Sequence, residues 1–88
     1  MTERELEKIF KAVGNKRRLL ILRFLKRNKE GTVGEIAETI KLSFKSTSRH
    51  LVVLHSADIV DREQRSLAAH YHLSTNVFPV IKQLISML

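Results

Sequence analysis

The stretch from Leu42 to Val60, LSFKSTSRHLVVLHSADIV, constrains this chain more than any other. Ser43 is a helix-capping residue type, and Thr47, Leu51 and Leu54 recur after it at helical spacing, so one stripe of the helix that follows can face a core. Lys45, Ser48, Arg49 and Val52 fall on the opposite face, and the first turns carry small hydroxyls and cations where an ordinary surface helix more often carries Glu. Such a start can enter a DNA major groove end-on, because nothing near it clashes with or repels phosphate. The stretch predicts a recognition helix.

What precedes it supplies the partner helix. Thr32 and Glu35 have the spacing of a capping box, and Val33, Ile36, Ala37 and Ile40 then recur as a short helix. Only Lys41 and Leu42 separate this helix from the one opened by Ser43, which is the spacing of a helix-turn-helix over residues 32–57, although a generic helical hairpin would look the same. Upstream, Leu6, Ile9, Phe10 and Val13 mark a first helix from Thr2 or Glu3 to Val13, stopped by Gly14 and Asn15. A second helix from Lys16 to Arg27 turns Leu20, Ile21, Phe24 and Leu25 inward and has further apolar positions at Leu19 and Leu22, too many for one surface stripe, so it is central.

Downstream, Ile59 and Val60 begin a β-prone run, and Ala69, Tyr71 and Leu73 alternate with Ala68, His70 and His72. The two strands meet around Gln64 to Leu67, giving a hairpin over residues 59–73 placed as a wing, with Arg62 and Arg65 along it for backbone or minor-groove contact. Ser74, Thr75 and Asn76 offer caps for a last helix; Pro79 falls in its first turn if Asn76 is the cap. Val77, Val80, Ile81, Leu84, Ile85 and Leu88 give that helix more apolar face than one small domain can cover. With Leu6, Ile9 and Phe10 of the first helix, they are expected to pair with a second copy through residues 1–14 and 75–88. The fold class expected is mostly α with a small β-hairpin wing: one winged helix-turn-helix domain over residues 1–88, dimerising through its first and last helices.

Composition narrows function. Eighty-eight residues make one core, and a domain of this size gains from extra buried area. Absence of cysteine excludes disulfides, thiolate metal sites and cysteine nucleophiles, and fits a cytoplasmic protein. MTERELEKIF has no apolar signal-like core, and the apolar region near Leu88 is interrupted by Lys82 and Gln83, so neither export nor a membrane partner is expected. The formal charge is +7, and from Lys16 to Lys29 come Lys16, Arg17, Arg18, Arg23, Lys26, Arg27 and Lys29 with no acid between them. Clustered cations of this kind suit a polyanion, although solvated surface charge that only aids solubility is the bland alternative. No Gly-rich phosphate loop, paired carboxylates or nucleophile motif suggests an enzyme.

This order of elements resembles the ArsR family of bacterial and archaeal winged-helix repressors. LEKIFKAVGNKRRLLILRFL resembles the family's opening two helices, LSFKSTSRHLVVLHSADIV its LSxSTxSxHLxxLxxAxxV, and the likeness runs from Leu6 through YHL to Ser74. The resemblance implies a homodimer on a short inverted repeat near a promoter, with one recognition helix in each of two major grooves a helical turn apart, and steric repression. It also shows departures. Many members sense metal through a Cys-x-Cys-type motif where this chain has Thr32 and Gly34, others through Asp, Glu and His on the last helix, and Val77 to Leu88 contains none of these. Both usual metal sensors are absent, no metal or small-molecule effector is evident, and no cofactor is expected. Ser66 stands where the family's wing commonly turns on Gly, and Phe44 and Lys45 replace small polar residues.

Residue by residue, Lys45, Ser48 and Arg49 are the base and phosphate candidates, with Arg49 able to reach guanine O6 and N7 bidentately. Ser43 is first a cap, Thr47 first a core residue, and Ser46 a phosphate donor; Phe44 either meets a thymine methyl or staples onto the preceding helix. Lys16, Arg17 and Arg18 lie at a helix start, where either phosphate or plain solvent would suit them. His70 and His72 share a strand face, but two imidazoles without a third ligand make a poor metal site. Two non-enzymatic alternatives stay open: a sequence-tolerant nucleoid or chromatin protein, and a winged helix used for protein contact.

Overall fold

Two capping boxes and a paired Asn set the helical frame of the computed structural model, which describes residues 1–88. Helix α1 spans Glu3–Val13, and its cap Thr2 accepts from the Glu5 amide at 3.2 Å while donating its own amide to the Glu5 carboxylate at 3.1 Å. The amide of Thr2 and then its hydroxyl, both donating to the Glu5 carboxylate, hold that carboxyl below its ordinary pKa. After Gly14, Asn15 Oδ1 accepts from the amides of Arg17 and Arg18 and opens α2, Lys16–Asn28. Helix α3, Val33–Ile40, starts on the Thr32–Glu35 box. Helix α4 is Phe44–Ser56 and α5 is Pro79–Ser86.

The core collects apolar side chains from every helix. Ile21, Leu22 and Leu25 of α2, Ile36 of α3, Leu51 and Leu54 of α4, and Ile59, Ile81 and Ala12 are all buried. Helix α2 is central as expected, but its innermost set differs: Leu22 is fully buried, while Leu20 and Phe24 are half-buried with Leu19. A helix touched by α1, α3, α4 and α5 has no single inward stripe, so position relative to all its neighbours decides the order.

The sheet has three strands where two were expected. β2, Val60–Arg65, and β3, Ala68–Leu73, form the hairpin, and β1, Glu30–Thr32, pairs antiparallel with the far edge of β3, with Gly31 opposite Tyr71. Gly31 is needed for close approach: a Cβ there would lie 2.5 Å from Phe24 Cε1 and 3.2 Å from Ile36 Cγ1. β1 thus fastens the wing to the helical body through the residues that link α2 to α3.

The last helix starts later than its caps suggested. Ser74 Oγ accepts from the Asn76 amide in a local turn, and the helix begins at Pro79, with Phe78 as a cap that makes no side-chain bond. Pro at the first helical position sacrifices no intrahelical donor, which is why it fixes the start. The apolar face of this region also divides differently from expectation. Ile81 and Ile85 lie in the chain's own core because α5 packs on α2, so they are not free to meet a second copy. Phe10 and Val80 remain 47% and 42% exposed, and Leu6, Ile9, Val77, Leu84 and Leu88 are half-buried. No helix is long and apolar enough to cross a membrane.

Candidate nucleic-acid interface

The turn between α3 and α4 is made by Lys41, whose left-handed φ of 57° ends α3. The Leu42 amide closes it on the Ala37 carbonyl at 3.0 Å. Ser43 then accepts from the Ser46 amide at 3.0 Å, so its hydroxyl is engaged as the cap of α4. Thr47, Leu51 and Leu54 go inward, all fully buried. The opposite face carries Lys45, Arg49 and Val52 in solvent, with Ser46 and Ser48 half-buried beside them. Neither Lys45 nor Arg49 belongs to any of the chain's ion pairs, whose members are Lys11, Arg65, His70 and their Glu partners. Two unmatched cations a helical turn apart, at the positive end of a helix whose first turn has no acid, make a surface suited to an anion.

Thr47 shows how tightly this helix is seated. Its Oγ1 is buried without a hydrogen-bond partner, which costs about 1–3 kcal/mol against a shape that did not bring a hydroxyl inside. Thr47→Val is expected to raise the unfolding free energy by roughly 1 kcal/mol, read as a higher denaturant midpoint at unchanged slope. A lower midpoint would mean that the hydroxyl is bonded in solution.

Sequence reasoning left Lys16, Arg17 and Arg18 unranked, and the structure separates them. Arg18 Nη1 donates to the Lys11 carbonyl at 3.0 Å and to the Ala12 carbonyl at 3.4 Å, closing the end of α1. Its Nε donates to His50 Nδ1 at 3.2 Å, tying α1 and α2 to the middle of α4. Burial, then the nearby Arg18 and Arg17 charges, hold the His50 imidazole below its ordinary pKa, consistent with an accepting, neutral ring. Lys16 and Arg17 stay in solvent.

The wing divides its charges between its two faces. Arg62 lies on the same side as Tyr71 and lines a cleft of about 470 Å³ between α4 and the hairpin, together with Thr32, Phe44, Ser48 and Leu67. Phe44 is 63% exposed and lines this cleft with Val33 and Gly34 at the start of α3. Arg65 lies on the outer face. Its guanidinium donates to Glu30 at 2.7 and 3.3 Å and to Glu63 at 3.0 and 3.3 Å. Hydrogen bonds from Arg65 lower the pKa of both carboxyls. His70 Nδ1 is 3.0 Å from Glu30, whereas His72 Nδ1 faces the Leu73 carbonyl at 3.1 Å, so the two rings serve different partners. No three His, Asp or Glu side chains are arranged to hold a metal ion.

A helix-turn-helix whose second helix presents free cations, followed by a hairpin fastened beside it, defines the winged helix-turn-helix class of regulatory domain. The model of bacterial regulatory proteins of the arsR family matches residues 15–62, which contain α2, α3 and α4. Over 69 residues the chain is 35% identical to the transcriptional repressor SdpR of Bacillus subtilis strain 168, covering 78% of this chain and 76% of that protein. Reduced HlyU of Vibrio cholerae N16961 superposes with a TM-score of 0.80 at 32% identity, covering 96% of this chain and 84% of that one. The fold is shared too with the homodimeric winged helix-turn-helix DNA-binding domain Mb0332 of Mycobacterium bovis, at a TM-score of 0.80 and 22% identity over 99% of this chain and 82% of that one. The chain belongs to the ArsR family, whose members are transcriptional regulators rather than enzymes.

Proposed function

We propose that this chain is a sequence-specific, double-stranded-DNA-binding repressor that acts in the cytoplasm as a homodimer on an inverted-repeat operator, without a metal switch. The observation that carries the reading is the division of α4: Lys45 and Arg49 are exposed and unpaired on one side, while Thr47, Leu51 and Leu54 are locked in the core on the other. Lys45, Ser48 and Arg49 then meet base edges and flanking phosphates. Ser43, Ser46 and Arg62 border the backbone, and Arg65 contributes as a strut of the wing, its charge already matched by Glu30 and Glu63. The repressor relative supports the sign of regulation, and the homodimeric neighbour supports the twofold assembly.

Metal independence rests on donor chemistry. Thr32 and Gly34 at the start of α3 bring no thiolate, and α5 has no Asp, Glu or His. The test is a nuclease footprint of the purified protein on its own upstream region at 150 mM salt, with random duplex as competitor and with chelator added in a parallel series. The expected result is a protected, roughly palindromic site preferred over random DNA by about a thousandfold or more, unchanged by chelator. Uniform protection without a preferred site would favour the sequence-tolerant alternative.

A further inference from the structure

We propose that Leu67, at the tip of the wing, is an apolar wedge for the DNA minor groove, so that this wing reads how easily a base step unstacks rather than attracting phosphate by charge. The inference rests on the DNA-binding reading above and adds a specificity residue to it. Leu67 is fully exposed. It sits in the two-residue link Ser66-Leu67 between β2 and β3, which Ser66 turns with a left-handed φ of 55°.

The tip has no free cation to offer instead. Arg65, its nearest one, has Nε and both terminal nitrogens on Glu63 and Glu30, while Arg62, which donates to the neutral Gln64 Oε1 at 3.0 Å, lies back in the cleft beside α4, where it borders the backbone and not the tip. The formal charges along the wing strands sum to zero, Asp61 and Glu63 against Arg62 and Arg65, and of the two arginines Arg65 is the one held in ion pairs. The link is also held in place: Gln64 Nε2 donates to the Ser66 carbonyl at 3.3 Å, and β1 anchors β3 from behind.

Position completes the case. Leu67 shares the cleft beside α4 with Phe44, Ser48 and Arg62, so it stands on the side of the domain where α4 presents its outward face. With α4 in the major groove, one sugar-phosphate strand passes through that cleft and the hairpin tip falls at the adjacent minor groove. A branched aliphatic side chain there has no hydrogen bond to make with base edges, but it can press between bases at a step that opens readily, such as TA or CA, and gains nothing from a stiff A-tract.

The experiment uses duplexes selected from a random library by the wild-type protein, with 2-aminopurine or an A-tract placed at the step under the wing as mapped by hydroxyl-radical footprinting. Wild type should brighten the 2-aminopurine signal and prefer a TA step over the A-tract by about tenfold. Leu67→Ala should abolish both effects while leaving the slope of log K against log salt unchanged, and Leu67→Met should retain them. Because Leu67 is exposed, melting temperature should not move, which separates this loss from unfolding. An unaltered step preference in Leu67→Ala, or a changed salt slope, would overturn the wedge while leaving binding through α4 intact. Failure of the wild-type protein to retain any duplex from the library would instead strike the underlying DNA-binding reading, and the wedge with it.

Discussion

Arg49→Glu is expected to abolish operator binding, and Arg49→Ala to weaken it by about 1–3 kcal/mol per half-site, with a much smaller loss on random duplex. The side chain is exposed, makes no hydrogen bond or ion pair in the protein, and lies on the face of α4 opposite Leu51. Removing it therefore leaves no unsatisfied group behind, and the melting temperature should stay within a degree or so of wild type for a surface substitution of this kind. The whole effect must then come from what Arg49 touches outside the chain. A bidentate contact to guanine is lost as a unit, and a twofold complex loses it twice, so the alanine variant should fall by roughly thirtyfold or more. Glutamate adds repulsion from phosphates in a site that Lys45 and the α4 N-terminus otherwise make positive. Fluorescence anisotropy on operator and random duplexes at one fixed salt separates these outcomes. Equal losses on both would turn Arg49 into a phosphate contact, and no loss on either would remove it from the interface.

That Arg49 faces outward was legible in the sequence because the evidence is local. Ser43 caps within one turn, and Thr47, Leu51 and Leu54 fix the inward stripe by spacing alone, so the remaining face follows by geometry. The capping box at Thr32 was legible for the same reason. What escaped was made by residues far apart in the chain. β1 is three residues long, too short for any period to register, and exists because β3 offers it an edge. Arg18 finds His50 across 32 positions, and Arg65 finds Glu30 across 35, so neither pairing leaves a pattern in either neighbourhood. The start of α5 failed differently. Three good cap residues stood in a row, and a local turn at Ser74 together with Pro79 outcompeted them. For the wing this matters to function, since a sequence reading counts Arg65 as a free cation and the structure shows its charge already matched.

The second large effect is expected from the face that the protomer leaves uncovered. Phe10 on α1 and Val80 on α5 stay about half exposed, and a cavity of about 310 Å³ opens between α1, the end of α4 and the segment leading into α5, lined by Ile9, Ile59, Val77 and Phe78 among others. Ile81 and Ile85 anchor α5 to the rest of the domain, so a second copy would meet Val80 and the uncovered parts of Leu84 and, just beyond the helix, Leu88. The double variant Phe10→Glu, Val80→Asp removes apolar contact and places carboxylates where a twofold axis would bring each close to its own copy. Because neither residue is buried in the protomer, circular dichroism should remain helical. Sedimentation should shift to the monomer, and affinity for the full operator should fall by about a hundredfold or more while affinity for an isolated half-site stays the same, since linkage of two sites is what the pair supplies. Sizing and operator titration of the same preparation decide it. A variant that still sediments as a dimer would move the twofold contact away from α1 and α5, and a monomer that binds the full operator undiminished would show that the two half-sites are read independently.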